Sequence, residues 1–177
     1  MGCGKTTLGK KLAKQLNYLF IDLDKEIERE SNKSISDIFL NEGENEFRKI
    51  ETTILNKILE LNGNYIIALG GGTICFNNNL QIVKNKASLI YLQMPVKALY
   101  SRLKESKTNR PLISNLNDEE LLSFIENKLK ERENFYLQAN YIFNALSISN
   151  CEISPSGTSN RKYLSNLLDE HIRLSIR

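Results

Sequence analysis

Histidine occurs once in this chain of 177 residues, at His171, and cysteine three times, at Cys3, Cys75 and Cys151. A single histidine, near the C-terminus, argues against histidine-based metal sites and Ser-His-Asp catalysis. The cysteines are odd in number and no pair has C-x-x-C spacing, which argues against a disulfide framework or a zinc site. A reducing, cytoplasmic setting is expected instead. No apolar run approaches the roughly 18 residues of a membrane span, and no signal-peptide pattern opens the chain. Repeats and low-complexity segments are absent. Charge of one sign is also scarce: 24 Lys and Arg against 21 Asp and Glu leave a net +3. That excess is too small to argue for nucleic acid and suits anionic small molecules at least as well. The length and a hydrophobic share of 41% fit one domain with its own core.

Gly2-Cys3-Gly4-Lys5-Thr6-Thr7 is the most informative segment. It matches the last part of a phosphate-binding loop, G-x-x-x-x-G-K-[ST], running into a helix. Such a loop turns successive backbone N–H groups toward phosphate oxygens at a positive helix end. The lysine adds a mobile charge for the β- and γ-phosphates, and the threonine hydroxyl can coordinate Mg²⁺. The helical spacing of Leu8, Leu12, Ala13 and Leu16 follows directly. The leading glycine of the motif falls before Met1. At this helix N-terminus the Cys3 thiolate would be stabilised, although the need for a small residue explains Cys3 equally well.

Short apolar runs alternate with longer helical patterns, the signature of βα units and a parallel sheet. Strands are expected at Tyr18–Asp22, Tyr65–Leu69, Ser88–Leu92 and Tyr141–Ala145. Helices are expected at Lys5–Leu16, Asp24–Ser31, Ser34–Leu40, Glu44–Leu61, Asn79–Lys84, Val96–Lys104, Asp118–Leu137 and Ser159–Arg173. Ser34 with Asp37 resembles a capping box. Glu105–Asn117, with Pro111, and Ser147–Ser159, with Pro155 and Gly157, are expected loops. No strand precedes the phosphate loop, although such a loop normally hangs from one. Two strands would then face a central gap with unpaired backbone groups. The expectation is that the natural chain begins some residues earlier; the alternative is a shortened domain with a repaired sheet.

Phe20-Ile21-Asp22-Leu23-Asp24 places two carboxylates at a strand's C-terminal end, where a period of two would aim both to one side. Ligands of open α/β sheets bind at that edge. One carboxylate can hold Mg²⁺ through water and the other can accept a substrate hydroxyl, while a plain helix cap at Asp24 is the alternative. No Asp follows the strand Tyr65–Leu69, so Asp22 is the candidate to replace it at the metal. Gly70-Gly71-Gly72 after that strand permits positive φ and close approach of a ligand, or serves as a flexible turn. Phe47, Ile50, Ile54, Ile58 and Leu61 mark the inner face of the helix Glu44–Leu61. Arg48 stands at its border, within reach of Glu51, and a surface ion pair would explain it as well. Leu122, Ile125, Leu129, Arg132 and Tyr136 recur at spacings of three and four, so Arg132 projects inward. An inward arginine needs an anion, either a substrate carboxylate or an internal acid. Arg110 lies in the loop Glu105–Asn117, which could close over a transferring phosphate.

Taken in order, GCGKTT, FIDLDKEIE, SISDIF, GENEFRKIE, LGGG and NRPLI, followed by the helix bearing Arg132, resemble the shikimate kinase family from Gly2 to about Tyr136. The resemblance implies an α/β P-loop kinase fold, a parallel five-stranded sheet flanked by helices, here without its first central strand. It implies one domain over residues 1–177, with a substrate-binding helical region at about 24–61 and a lid at about 105–117. The implied reaction transfers phosphate from ATP to shikimate, giving 3-phosphoshikimate on the route to chorismate and the aromatic amino acids. By resemblance, Gly2, Cys3, Gly4, Lys5, Thr6 and Thr7 hold the ATP phosphates, and Thr6 and Asp22 serve Mg²⁺. Asp24 is the candidate base. Arg48 and Arg132 clamp the shikimate carboxylate, Gly70, Gly71 and Gly72 contact its ring hydroxyls, and Arg110 is the lid arginine. Lys5, Asp24 and Arg110 form the catalytic set. A cytoplasmic monomer with no nucleic acid or membrane partner is expected. The alternatives are a gluconate-type P-loop kinase, since gluconate is also a polyhydroxy acid, or a noncatalytic nucleotide-binding module.

Overall fold

The computed structural model of the chain describes residues 2–105, 113, 115–146 and 174–176. Its elements run α1 (Lys5–Leu16), β1 (Leu19–Asp22), α2 (Leu23–Ser31), α3 (Ile35–Asn41), α4 (Gly43–Leu59) and β2 (Tyr65–Ala68). A short 3₁₀ turn (Thr73–Cys75) follows, then α5 (Asn79–Lys86), β3 (Ser88–Gln93), α6 (Val96–Glu105), α7 (Asp118–Tyr136), β4 (Tyr141–Asn144) and β5 (Leu174–Ile176). The expected helix Ser159–Arg173 and the loop Ser147–Ser159 lie outside the described residues, as does most of the expected lid.

The strands form one parallel sheet in the order β1-β2-β5-β3-β4. Period-two alternation divides the core between its faces. Ile67, Leu89 and Tyr91 pack with Leu23, Ile27, Phe47, Leu55 and Ile58 of α2 and α4. Ile66, Ile90 and Leu92 face the other way, onto Leu12 and Ala13 of α1, Leu99 and Leu103 of α6, and Leu121 and Ile125 of α7. Burial on both sides explains the continuous apolar runs of β2 and β3. The edges read differently, with Leu19 of β1 and Ile142 of β4 largely exposed. Gly9 lets α1 lie close on the sheet, because a Cβ there would come within 2.6 Å of the Phe20 ring.

The centre of the sheet departs from expectation. No gap separates the strands, since β5 lies between β2 and β3 and pairs in parallel with both. Leu174 is in register with Ile66 on one side and Ser88 on the other. The backbone groups of Ile66–Ala68 and Ser88–Ile90 thereby find partners in β5. Leu174–Ile176 escaped notice because three residues are too few to show a strand's alternation.

Helix ends follow local chemistry. Ser34 caps α3 by accepting the Asp37 N–H at 3.0 Å, and its hydroxyl donates to the Asp37 carboxylate at 2.6 Å. Asn117 and Glu120 make a reciprocal capping box at the start of α7. On α7 the inward face begins at Leu121, fully buried, whereas Leu122 is exposed. On α4, Leu61 is likewise exposed and lies beyond the helix end, while Arg48 and Glu51 are buried within the face.

Candidate active site

Gly4 starts the site. It occupies the N-cap position of α1 with φ 90°, a left-handed conformation that a side chain would strain. No side chain caps this end, so the first N–H groups of α1 face outward, the arrangement that receives phosphate. Beside it opens a cavity of about 360 Å³ at the C-terminal edge of the sheet. Gly2, Gly4, Lys5, Thr6 and Thr7 line one wall, and Asp22, Asp24, Leu69 and Gly71 line the other. Cys3 is placed apart from them. It packs against the apolar cluster beneath α6 and borders a second, small cavity with Tyr91, Met94 and Leu99, so its size and apolar character account for it.

Asp22 is the last residue of β1 and stands at the N-cap of α2 without capping it. Its carboxylate instead accepts the Thr6 hydroxyl at 3.0 Å. Asp24 is neither a strand residue nor a cap, since α2 has already begun at Leu23. Asp22 and Asp24 nevertheless line the same cavity while Leu23 is fully buried. The convergence arises from the strand-to-helix turn rather than from strand alternation.

Asp24 is open to the cavity on one side and crowded by protein elsewhere. Loss of hydration is the main cause that raises its pKa from the ordinary carboxylate value to about 6. The charge of Asp22 adds to the shift, Lys5 opposes it, and Glu51 and Glu28 contribute further repulsion.

The glycine turn after β2 works by closeness. None of Gly70, Gly71 and Gly72 takes positive φ, contrary to the sequence expectation. A Cβ on Gly70 would meet Asp24 Oδ1 at 2.8 Å and Thr73 Oγ1 at 3.0 Å; one on Gly72 would meet Arg48 NH2 at 2.6 Å. The hydrogen atom at these positions lets Asp24 and Arg48 reach the same turn.

Arg48 is held along its whole length. NH1 donates to Glu51 Oε2 at 2.7 Å, while Nε and NH2 donate to Glu44 Oε1 at 3.2 and 2.9 Å. Its guanidinium lies 4.2 Å from the Phe76 ring centre and 5.0 Å from that of Phe47. The pair with Glu51 is interior rather than on the surface, because Glu51 is fully buried. Glu51 also accepts the Thr73 hydroxyl at 2.6 Å.

Arg132 projects inward from α7 as its spacing implies, but its partner is a carbonyl. NH1 donates to Gly71 O at 2.9 Å, and the Tyr136 hydroxyl donates to the same oxygen at 2.8 Å. Among the described residues Arg132 forms no ion pair with an acid. Arg102, which the sequence analysis did not single out, also lines the main cavity beside the phosphate loop. Its NH1 lies 3.5 Å from Gly2 O. Arg110 lies outside the described residues.

A parallel sheet, a phosphate-accepting helix end with Lys5, and a carboxylate between that loop and an arginine-lined turn define a nucleotide-dependent phosphotransferase of the P-loop class. The finer identity comes from likeness to known proteins. The family model described as shikimate kinase matches residues 1–159. The chain is 44% identical over 143 residues to the shikimate kinase of Azobacteroides pseudotrichonymphae, covering 81% of this chain and 84% of that one. It is 41% identical over 145 residues to that of Bacteroides thetaiotaomicron, covering 82% of each. Among solved structures, the Bacteroides thetaiotaomicron shikimate kinase superposes with a TM-score of 0.83 at 36% identity, covering 96% of this chain and 94% of that one. The Acinetobacter baumannii shikimate kinase in complex with shikimate gives 0.76 at 34% identity, covering 96% and 89%. The chain belongs to the shikimate kinase family.

Proposed function

We propose that this chain transfers the γ-phosphoryl group of ATP to a hydroxyl of shikimate, with the roles divided across the cavity. Gly2, Gly4, Lys5, Thr6 and Thr7 bind the triphosphate through main-chain N–H groups and the Lys5 ammonium, with Arg102 close by. The Thr6 hydroxyl and Asp22 carboxylate, 3.0 Å apart, are hard oxygen donors suited to Mg²⁺, which when bound would neutralise phosphate charge. Asp24 orients the acceptor hydroxyl and takes its proton as that oxygen bonds to the γ-phosphorus and the β–γ bridging bond breaks. Arg48 and Arg132 bind the acceptor's carboxylate, and Gly70–Gly72 leave room for its ring. Residues 24–61 form the acceptor-binding region and Arg110 the closing arginine. A monomer acting in the cytoplasm, where ATP is supplied, completes the reading.

One observation carries this reading. Asp24 lines a single cavity with Lys5 and also reaches the glycine turn that abuts Arg48, so donor and acceptor sides meet at one carboxylate. The test is steady-state ADP release with Mg²⁺, ATP and shikimate, with gluconate as a comparison acceptor. Arg132→Ala should raise the shikimate KM, at a cost of roughly 2–5 kcal/mol, because a carboxylate in the closed site loses its charged donor. An unchanged KM would remove Arg132 from the acceptor site.

A further inference from the structure

Behind Arg48 lies a polar layer that the proposed chemistry does not use. It is built from Asn77, in the link after the 3₁₀ turn, and Asn79, the first residue of α5. Asn77 adopts φ 49°, which turns its side chain back toward α4. Its Nδ2 donates to the Arg48 carbonyl oxygen and to Thr52 Oγ1, both at 3.0 Å. Asn79 is fully buried and donates to Thr52 Oγ1 at 3.1 Å and to the Thr73 carbonyl at 2.9 Å. The Thr52 hydroxyl closes the set by donating to Arg48 O at 2.8 Å. Each amide donates two N–H bonds, and the Thr52 hydroxyl donates one bond and accepts two, within the capacity of those groups.

Packing alone does not account for an asparagine at 79. Its Oδ1 is buried without a hydrogen-bond partner among the described residues, a cost that an apolar side chain of similar size would not carry. What the amide supplies is its two donors, aimed at two different elements.

We infer that Asn77 and Asn79 are positioning residues for the acceptor acid, clasping the Arg48 turn of α4 to the 3₁₀ turn that follows Gly72. The inference rests on the proposed role of Arg48. Glu44, Glu51 and Phe76 already fix the guanidinium relative to α4 and its surroundings. The Glu51–Thr73 hydrogen bond ties α4 to the 3₁₀ turn at one point, and the clasp adds a second tie across that junction. Clearance there is small, since the Cβ site of Gly72 lies 2.6 Å from Arg48 NH2. A shift of about 1 Å would move the guanidinium off its geometry for a bound carboxylate. Neither asparagine is placed to touch the reacting atoms.

Asn77→Gly is the cleanest probe, because glycine accepts the positive φ and only the amide is lost. Asn79→Leu, Thr52→Val and Thr52→Ser complete the set, with Arg48→Ala as reference. We expect Asn77→Gly, which loses both hydrogen bonds to α4, to raise the shikimate KM at least about fivefold. Asn79→Leu and Thr52→Val should raise it more, with ATP KM and kcat within about twofold of the parent. Thr52→Ser, which keeps the hydroxyl, should restore the parent value. Shikimate KM unchanged in Asn77→Gly and Thr52→Val while Arg48→Ala raises it would overturn the clasp, as would an equal rise in both substrates' KM. Should Arg48→Ala itself leave the shikimate KM unchanged, the acceptor role of Arg48 fails and the clasp with it. If Asn79→Leu does not fold, Asn77→Gly and the Thr52 pair decide the matter.

Discussion

Arg48 and Glu51 meet at 2.7 Å on the buried face of α4, three residues apart, with the Glu51 side chain only 1% exposed. The pair binds two elements, because the other Glu51 oxygen accepts the Thr73 hydroxyl from the turn after the glycines. Glu51→Ala would leave a buried guanidinium with Glu44 alone. We expect a loss of about 3 kcal/mol, at the low end for breaking a buried pair, since Glu44 remains. Urea unfolding at neutral pH measures this, and Glu51→Gln should fall between the parent and Glu51→Ala.

Gly72→Ala tests whether the turn is glycine for space. The backbone there has φ −115°, which alanine tolerates. Its methyl would stand 2.6 Å from Arg48 NH2, and that arginine is not free to swing aside because two carboxylates and a ring hold it. Overpacking of roughly 1–3 kcal/mol should appear as a rise of about fivefold or more in shikimate KM. The ATP KM should be little changed. An alanine variant with parent-like shikimate kinetics would show that Arg48 yields easily.

Asp24 sets a pH dependence. Its charged form is disfavoured by lost hydration first and by Asp22 next, so it binds a proton below about pH 6. A base must be unprotonated, so kcat/KM should rise with pH through about 6 and then level. Asp24→Asn should abolish that limb along with at least about 100-fold of the rate. Because the folded pKa is raised, ionised Asp24 weighs against the folded state above that pH. Asp24→Asn should therefore raise the melting temperature of the ligand-free protein more at pH 8 than at pH 4. Equal shifts at both values would contradict this.

β5 offers a test of the sheet. Ser175 pairs with Ile67 on one side and Leu89 on the other. Ser175→Pro removes an N–H from a central ladder, a position proline does not tolerate. We expect a broadened, lowered thermal transition, whereas Ser175→Val should melt at or above the parent temperature. A proline variant with the parent's melting curve would mean that this ladder contributes nothing.

What the sequence disclosed was whatever repeats over short distances. Leu8, Leu12 and Leu16 after a G-K-T-T marked α1, and the apolar run at Tyr65 marked a buried strand to within a residue. Gly70–Gly72 were recognised as a place of close approach, yet the positive φ also expected there is absent. The partners of Arg48 and Arg132 were harder to see. Asn77 reaches Arg48 across 29 residues and Arg132 reaches Gly71 across 61, distances that no periodicity records. Arg132 was expected to meet either a substrate carboxylate or an internal acid; in the described structure a main-chain carbonyl, which any residue can supply, holds one of its nitrogens. β5 was missed for the same reason and one more, being three residues long as well as paired to strands far away in the chain.

That distance has a bearing on how the protein comes to be made. Ile66 and Leu174 are neighbours in the sheet but 108 positions apart along the polypeptide. During synthesis β2 emerges well before β5, the strand that lies between β2 and β3 and follows β2 by more than a hundred residues. Such long-range closure is slow, and until it happens the nascent domain carries two open strand edges that other chains can join. Helper proteins that shield newly made chains would find their target in that interval.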